Sequence, residues 1–295
     1  MHARIGIDGG GTKTEFILTD ESGAILARRT AAGCSPSLTA RAEIDRLIKE
    51  NLRELLAAGG NPTVTHTVLC MAGSRIFWRE FAATLTGWGN VQAFDDSIPV
   101  LELATGGKAG LVLHAGTGSF IAARGLDASP HYAGGLGWRF GDPASAHDLG
   151  RRSVARTLLE LQGWAESSAF GRAVCDQVQL HEVNAMLRHF YSPDTPHGAV
   201  AELAPLVTRL AQASDPVACE ILSASVGDLA RLAQTVSRTL FGTQPSAALP
   251  VGLSGAILHS PIARSAISSV LGPPHDLHLI TESPIEGARR LLARL

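Results

Sequence analysis

The chain has 295 residues, of which 45% are hydrophobic and 18% charged, a composition typical of a globular protein with one large domain or two packed ones. Its formal net charge of −2 predicts no general attraction to nucleic acid or to an anionic membrane surface. No apolar run approaches the roughly 20 residues of a spanning helix, and no signal peptide is expected. The four cysteines are too far apart for a metal site or a disulfide framework. We therefore expect a cytoplasmic protein.

The first thirty residues predict consecutive antiparallel strands joined by two turns. An apolar strand at 5–8 ends on Asp8, and Gly-Gly-Gly-Thr-Lys-Thr follows it at 9–14. The residues after the glycines favour a strand, and the next turn at 20–23 comes too soon for a helix. Because Walker and dinucleotide-binding loops need a helix directly after their glycines, we interpret this element as a β-hairpin.

Strands and helices alternate after this hairpin, as the apolar spacing indicates. The predicted segments are a helix at 38–56, a strand at 64–71, a helix at 75–85, a strand at 91–94 and a helix at 98–104. The later of these strands leads directly into Asp95 and Asp96, so it delivers two carboxylates to the end of the predicted sheet.

The pattern of the first hairpin begins again near residue 110. A strand at 110–115 enters a Gly-Thr-Gly-Ser turn at 116–119, and a strand at 120–124 returns from it. A repeated hairpin rich in glycine and threonine indicates a duplicated unit. The remaining segments are predicted as mostly helical from 143 to about 240, as strands at 248–253 and 277–280, and as a terminal helix at 285–295.

Both glycine hairpins are suited to binding an anion. Backbone N–H groups in a glycine turn approach an anion closely because no Cβ intervenes, while Thr12 and Thr14 add hydroxyls and Lys13 adds charge. Asp8, at the end of the strand, could hold Mg²⁺ directly or through water. A single hairpin of this kind fits a surface turn equally well, but its repetition favours nucleotide phosphates bound between two duplicated halves.

Several segments resemble the N-acetylglucosamine kinase family, which is part of the BadF/BadG/BcrA/BcrD-type ATPases and of the larger actin, hexokinase and Hsp70-like group. The segments that carry the resemblance are 7–14, the strand that ends at Asp96, 115–119, 134–135, 141–142, 252–255 and 284–288. They extend over nearly the whole chain, and the Asp-Gly-Gly-Gly-Thr-Lys-Thr and Gly-Thr-Gly-Ser motifs in this order are fairly specific.

The resemblance implies an α/β fold of two duplicated ribonuclease H-like, actin-like ATPase domains with a nucleotide cleft between them. The first domain would be 1–115, completed by the C-terminal helix at 285–295, and the second, which contains a helical insertion, 116–284. The implied activity is ATP-dependent phosphorylation of an amino sugar, N-acetylglucosamine or glucosamine, at the 6-hydroxyl, with ATP and Mg²⁺ as cofactors.

The resemblance also assigns roles to individual residues. Asp96 matches the catalytic base, which accepts the proton of the attacking sugar hydroxyl, while Asp95 is the competing candidate and either aspartate could instead cap the following helix. The residues expected to bind the nucleotide are Gly9, Gly10, Gly11, Thr12, Lys13, Thr14, Gly116, Thr117, Gly118, Ser119, Gly252, Ser254 and Gly255. Those expected to bind the sugar are Ser35, Gly73, Gly134, Gly135 and Asp142, and Asp8 is expected to bind the metal.

The chain departs from the family pattern where the sugar would bind. The family's Gly-Asp-Glu-Gly-Ser-Gly is Gly-Asp-Pro-Ala-Ser-Ala at 141–146, so Pro143 replaces an acidic residue. An asparagine common in the loop at 33–37 is absent, and Ala72 stands where serine is frequent. These departures concern the identity of the sugar more than phosphoryl transfer itself.

Three other functions occur on the same group of folds. An activator ATPase of radical dehydratases would contain paired cysteines, and a repressor-related sugar kinase would contain a cysteine-rich zinc motif, and the sequence has neither. A non-catalytic sugar or nucleotide sensor stays an alternative because of the altered segment at 141–146. The expected partner is a small sugar, with no nucleic acid and no membrane, and the dimers common in the family make a homodimer an open alternative.

Overall fold

The computed structural model of the protein describes residues 1–37, 39–196, 198–243 and 248–295. It consists of two compact units, Met1–Lys108 together with Ile280–Leu295, and Ala109–Leu279. None of the helices in the described part of the chain combines the length and the apolar character that crossing a membrane requires.

The elements of the first unit, in chain order up to Lys108, are β1 (His2–Gly9), β2 (Lys13–Asp20), β3 (Ile25–Ala32), α1 (Arg41–Ala58), β4 (Thr63–Met71), α2 (Arg75–Thr84), β5 (Asn90–Asp95) and α3 (Ser97–Thr105). The second unit continues with β6 (Gly110–Ala115), β7 (Ser119–Arg124), β8 (Pro130–Gly134), α4 (Ala146–Leu161), α5 (Ala169–Val178), α6 (Val183–Tyr191), a 3₁₀ helix (Ala201–Leu203), α7 (Ala204–Gln212), α8 (Pro216–Phe241), β9 (Leu249–Ser254), α9 (Pro261–Leu271) and β10 (His275–Leu279). The last helix, α10 (Pro284–Leu292), belongs to the first unit.

β1 lies at the centre of the first sheet, whose strand order is β3-β2-β1-β4-β5. β1, β2 and β3 are antiparallel neighbours, whereas β4 and β5 run parallel to β1. Side chains of β1 alternate between the two faces. Ile5 and Ile7 belong to one buried cluster with Ile44 of α1, while a Cβ at Gly6 would lie 3.3 Å from Leu292 of α10. Helices therefore cover both faces of this sheet.

The second sheet repeats this topology, with the order β10-β9-β6-β7-β8. β6, β7 and β8 are antiparallel, and β9 and β10 run parallel to β6. In each sheet, a meander of antiparallel strands is extended on the side of its first strand by two parallel strands. The predicted α/β class and the predicted duplication are thereby confirmed. Because β6 pairs with both β7 and β9, it lies in the second unit, although the sequence division at 115/116 assigns it to the first.

Most predicted elements lie where the sequence places them. α1 begins at Arg41, and Leu38, the first residue of the predicted helix, lies outside the described residues. Two elements were not predicted. β8 is short and largely exposed, so it lacks an apolar alternation. α9 does have a signal, because buried residues recur every four positions at Ala263, Ile267 and Leu271 after a proline in its first turn.

Candidate active site

Two aspartates lie at the carboxyl ends of parallel strands in the first unit. Asp8 precedes the last residue of β1 and is paired in register with Cys70 of β4, while Asp95, which ends β5, is paired with Met71 of β4. Asp96 follows directly. The carboxyl ends of β1, β4 and β5 therefore bring Asp8 and the two consecutive aspartates to one edge of the sheet, the usual position of ligand sites in parallel α/β sheets.

Asp8 is a carboxyl group that is costly to ionise. Burial, followed by the negative charges of Glu15 and Asp96, raises the pKa of Asp8 to about 7, while Lys13 opposes the shift. A buried carboxylate among other acids is stabilised when a cation binds beside it. Among the described residues, no group of three or more His, Cys, Asp and Glu side chains could enclose a metal. Asp8 could hold such a cation, and Mg²⁺ is commonly bound by one or two carboxylates together with phosphate oxygens.

Asp95 and Asp96 have different surroundings. Arg75 Nε lies 2.7 Å from Asp95 Oδ2, and the Ser97 N–H donates to Asp95 Oδ1 at 3.2 Å. Burial alone would raise the pKa of Asp95, but these donors hold it below its ordinary value. Burial and then the charge of Asp95 raise the pKa of Asp96 to about 6. Asp96 is the N-cap residue of α3 by position, yet its side chain makes no capping hydrogen bond.

The first glycine turn connects β1 to β2. Gly10 N–H donates to Lys13 O at 3.0 Å, and Gly11 and Thr12 are exposed. Gly33 N–H donates to Thr12 O, and Cys34 N–H donates to Gly10 O, each at 3.1 Å. These bonds hold the loop after β3 against the turn. The approach is so close that a Cβ at Gly33 would lie 2.2 Å from Gly11 O, so this position requires glycine.

Two side chains of this turn that the sequence predicts to contact phosphate, those of Lys13 and Thr14, make contacts within the protein. The Thr14 hydroxyl is buried, donates to Ala32 O at 2.9 Å and lies 3.2 Å from Cys34 Sγ. Lys13 Nζ lies 2.6 Å from Glu15 Oε2, although its side chain remains largely exposed. The Thr14 hydroxyl therefore serves the interior of the hairpin, which the sequence motif could not reveal.

The predicted sugar contacts are distributed over both units. In the first unit, a Cβ at Gly73 would lie 3.3 Å from Pro36 Cδ and 3.8 Å from Ser35 Oγ, so the loop after β3 and the end of β4 are neighbours. Ser35 Oγ lies 2.9 Å from Ser37 Oγ. Gly134, Gly135 and Asp142 belong to the second unit.

The second glycine turn connects β6 to β7 and is held by neighbouring segments. Gly116 N–H donates to Gly118 O at 2.9 Å, and Ala146 N–H, at the start of α4, donates to Gly116 O at 2.8 Å. The buried Asp142 accepts the Gly137 N–H at Oδ1 at 3.1 Å, and its Oδ2 would lie 3.3 Å from a Cβ at Gly118. Asp142 therefore links the loop after β8 to the turn.

Gly134 and Gly135, at the end of β8, lie beside the second glycine turn. Both have positive φ, +74° and +63°, and Gly135 N–H donates to Ser119 O at 3.1 Å. The Ser119 hydroxyl is buried and has no hydrogen-bond partner among the described residues. A buried hydroxyl of this kind calls for a partner, and its place directly after the glycine turn fits a bound phosphate group.

Of the three residues predicted at the end of β9, two lie beside the second turn. Gly255 has φ +89°, and a Cβ there would lie 2.1 Å from Ala115 O, so only glycine fits. Ser254 Oγ lies 3.1 Å from His114 Nδ1, and burial lowers the pKa of His114 to about 4, so that this histidine is neutral. Gly252, by contrast, lies inside the sheet, where it pairs with Val112 and His278.

A cavity of about 620 Å³ adjoins the second turn within the second unit. The turn contributes Gly116 and Thr117, and the segment after Gly255 contributes Ala256 and Ile257. The other lining residues come from the start of α4, the segment before the 3₁₀ helix, the 3₁₀ helix itself and α7, and they are Ala146, Gly198, Ala201, Glu202, Ala204, Pro205 and Thr208. Sequence reasoning missed the contribution of the 3₁₀ helix and α7. The small residues that line the cavity alternate there with larger apolar ones, a pattern equally typical of helices packed in a core.

Known proteins are similar to this chain over most of its length. The sequence profile of the BadF/BadG/BcrA/BcrD ATPase family matches residues 5–288. An N-acetyl-D-glucosamine kinase of Dictyostelium discoideum is 27% identical over 254 residues, which cover 80% of this chain and 79% of that protein. An N-acetylmuramic acid/N-acetylglucosamine kinase of Clostridium acetobutylicum is 22% identical over 232 residues, 76% of each chain.

A solved structure is similar to the whole chain. It is that of a candidate N-acetylglucosamine kinase from Chromobacterium violaceum, with a TM-score of 0.72, 28% sequence identity and coverage of 98% of both chains. The resemblance inferred from the glycine motifs and Asp96 is thereby confirmed. With a family profile matched from residue 5 to residue 288, the chain belongs to the BadF/BadG/BcrA/BcrD ATPase family.

Proposed function

We propose that this protein is an ATP-dependent sugar kinase that phosphorylates an amino sugar, N-acetylglucosamine or glucosamine, at the 6-hydroxyl. The observation that carries the proposal is that both sheets have the same glycine-rich turn. Each sheet presents a glycine turn after its first strand, and the first sheet adds Asp96, whose side chain is not used for capping. Kinases need these two functions, a cradle for phosphates and a base for the acceptor hydroxyl.

Asp96 is proposed as the base. MgATP, when bound, supplies the γ-phosphoryl group and an electrophilic phosphorus. Asp96 accepts the proton of the acceptor hydroxyl while the acceptor oxygen forms its bond to phosphorus and the bond from phosphorus to the departing ADP oxygen breaks. Asp95 is less suited to this role because Arg75 and the Ser97 N–H each bind one of its oxygens and hold its pKa below the ordinary value, which weakens it as a base.

The remaining parts of the site have supporting roles in this proposal. Backbone N–H groups of both glycine turns would donate to phosphate oxygens, with the Ser119 hydroxyl as a further donor. Asp8 would hold Mg²⁺, whose charge relieves the cost of ionising this carboxyl. The cavity beside Thr117 and Ala256 has the size and the small-residue lining that suit a purine ring.

The residues of the proposed sugar-binding segment do not distinguish one acceptor from another, so the acceptor is to be identified by experiment. Pro143 offers no side-chain hydrogen bond at the position of the family's glutamate, and Asp142 is turned toward Gly137 and Gly118. The acceptors to compare are N-acetylglucosamine, glucosamine, glucose and N-acetylmuramic acid, the last because the C. acetobutylicum relative is named for it. A cytoplasmic location, expected from the widely spaced cysteines, belongs to the same proposal, and the family resemblance keeps a homodimer as an alternative.

Coupled detection of ADP tests the proposal. Each acceptor is added to the protein with ATP and Mg²⁺, and ADP release is compared with the rate without acceptor. We expect one of the amino sugars to stimulate ADP release strongly and to be recovered as its 6-phosphate. If no acceptor raised the rate while ATP still bound, the non-catalytic sensor would replace the kinase.

A further inference from the structure

An ion pair joins α2 to the strand end that carries Asp96. Arg75 is the first residue of α2 and follows Ser74, whose hydroxyl caps this helix by accepting the Phe77 N–H at 3.3 Å. β4 and β5 are parallel neighbours, so the start of α2 after β4 lies beside the end of β5 at Asp95. As a result, the Arg75 guanidinium reaches Asp95, with 2.7 Å between Nε and Oδ2.

Asp95 is held at both of its oxygens. Oδ2 accepts from Arg75, and Oδ1 accepts the backbone N–H of Ser97, the first residue of α3, at 3.2 Å. Only 17% of the Asp95 side chain is exposed. A carboxylate with a charge-assisted bond at one oxygen and a backbone donor at the other has little freedom to rotate.

Asp95 binds the first backbone N–H of α3, and the carboxylate of Asp96 is left without a capping bond to the helix. Asp96, at the N-cap position, could cap only through the Ile98 N–H, because Pro99 at the next position has no N–H, and its carboxylate makes no capping bond. Asp96 has helical dihedral angles, φ −63° and ψ −15°, between a bonded Asp95 and the first turn of α3. The direction of its side chain is therefore set by backbone that the Asp95 contacts hold on both sides.

We propose that Arg75 is a positioning residue for phosphoryl transfer, which acts through Asp95 to orient the Asp96 carboxylate and to keep Asp95 from taking the acceptor's proton. The proposal rests on the proposed function, since it concerns the base of that reaction. Arg75 would contact neither the sugar nor the nucleotide. A base displaced by about 1 Å can lose on the order of 100-fold in rate, so a residue one contact away can strongly affect turnover.

A double-mutant cycle tests whether Arg75 acts through Asp95. The proteins are wild type, Arg75→Met, Asp95→Asn and the double variant, with kcat and both KM values measured for ATP and the preferred amino sugar. In the wild-type background, we expect Arg75→Met to lower kcat by about 10-fold or more while both KM values change by less than about threefold. In the Asp95→Asn background, the same substitution should change kcat by less than about twofold, because the group through which it acts has lost its charge.

Two variants control for folding and for general charge effects. Arg75→Lys keeps a cation beside Asp95 and should recover a substantial part of the lost kcat. Arg79→Met removes an exposed arginine from the same helix, one that makes no ion pair among the described residues, and it should leave kcat unchanged. Thermal unfolding of each variant shows whether it is folded at the assay temperature.

The outcomes separate this proposal from the proposed function. An equal loss of kcat in both backgrounds would overturn the positioning role, and so would a loss confined to KM, which would mean that Arg75 binds a substrate directly. In either case, acceptor-dependent ADP release by the wild type would leave the kinase proposal standing. If the wild type itself released no acceptor-dependent ADP, the kinase proposal would fail and the role of Arg75 with it.

Discussion

Asp95 and Asp96 are neighbours of one chemical type that the fold places in different surroundings. Asp95 ends β5 and is bound by Arg75 and the Ser97 N–H, while Asp96 is buried beside it without a capping bond. The first aspartate is therefore held as a structural anion. The second has the properties of a general base, since burial and a nearby negative charge raise its proton affinity toward neutral pH.

Asp96→Asn is expected to remove most of the turnover. An amide cannot accept the acceptor's proton, and general-base catalysis contributes roughly 10²–10⁴-fold, so kcat should fall by about that factor. ATP binding, measured by isothermal titration calorimetry in the presence of Mg²⁺, should change little. Retention of more than about a tenth of the wild-type kcat would assign the base to another residue.

The activity is expected to fall on the acid side of about pH 6. Burial and then the charge of Asp95 raise the pKa of Asp96 to about 6, and a general base acts in its ionised form. kcat/KM for the sugar should therefore rise with pH through this value and level off above it. Asp95→Asn removes the neighbouring charge and should move the midpoint to lower pH. A midpoint that stays in place would contradict this origin of the shift.

Asp8→Asn is expected to stabilise the fold above pH 7 and to weaken the dependence of ATP binding on Mg²⁺. Since the pKa of Asp8 is raised to about 7, the folded state binds this proton more tightly than the unfolded state does, and its stability falls as pH rises from about 4 to 7. Asparagine carries no charge and avoids this loss. Compared with wild type, the variant should gain more in Tm at pH 8 than at pH 5. Equal changes at both pH values would contradict the linkage.

The glycine turns function through the segments that pack against them. The loop after β3 is bonded to the first turn at Gly10 and Thr12, and α4 is bonded to the second turn at Gly116. Close backbone approaches of this kind exclude a Cβ, as Gly33 against Gly11 and Gly255 against Ala115 illustrate. The shape of each turn is therefore a property of several elements packed together.

Gly255→Ala tests this packing at the second turn. The new Cβ would lie 2.1 Å from Ala115 O at a residue with φ +89°, so the end of β9 must shift away from β6. We expect ATP affinity to fall at least about 10-fold, because a small displacement of binding groups has a large cost. Gly272→Ala is the matched control, since Gly272 has φ +59° but no atom within 4 Å of its Cβ position. If both variants lost ATP affinity equally, strain in the backbone would explain the effect better than the contact does.

The cavity beside Thr117 offers a second test, directed at the nucleoside. Ala256→Trp should place an indole ring in the cavity of about 620 Å³ and raise the KM for ATP by about 10-fold or more, while the KM for the sugar changes little. Ala213→Trp, an exposed substitution at the end of α7, serves as the control. An unchanged KM for ATP in Ala256→Trp would exclude this cavity as the purine site.

Over the whole molecule, the sequence is most informative where the pattern that defines an element is local. Glycine and threonine around residues 9–14 and 116–119, followed by strand-forming residues, were enough to predict both hairpins and the duplication of the sheet. These hairpins are predictable because their signal is local: glycines interrupt a strand pattern that resumes within a few residues.

The remaining features depend on contacts between distant segments, which local patterns do not encode. Thr14 fits the phosphate motif, yet its hydroxyl is buried against Ala32 and Cys34 because the strand partner β3 lies there. Gly252 fits the motif as well, but it lies within the sheet. The difference between Asp95 and Asp96 arises from Arg75, twenty residues earlier, whose position depends on the pairing of β4 with β5.

The most direct test of the account is phosphoryl transfer to an amino sugar by wild type and by Asp96→Asn. The protein is incubated with ATP, Mg²⁺ and either N-acetylglucosamine or glucosamine, and the products are followed by coupled ADP detection and by ³¹P NMR of the sugar. We predict equal amounts of ADP and sugar 6-phosphate from wild type, and a rate reduced by roughly 10²-fold or more in Asp96→Asn. ADP release that no sugar stimulates, or a sugar phosphate formed equally fast by both proteins, would contradict the account.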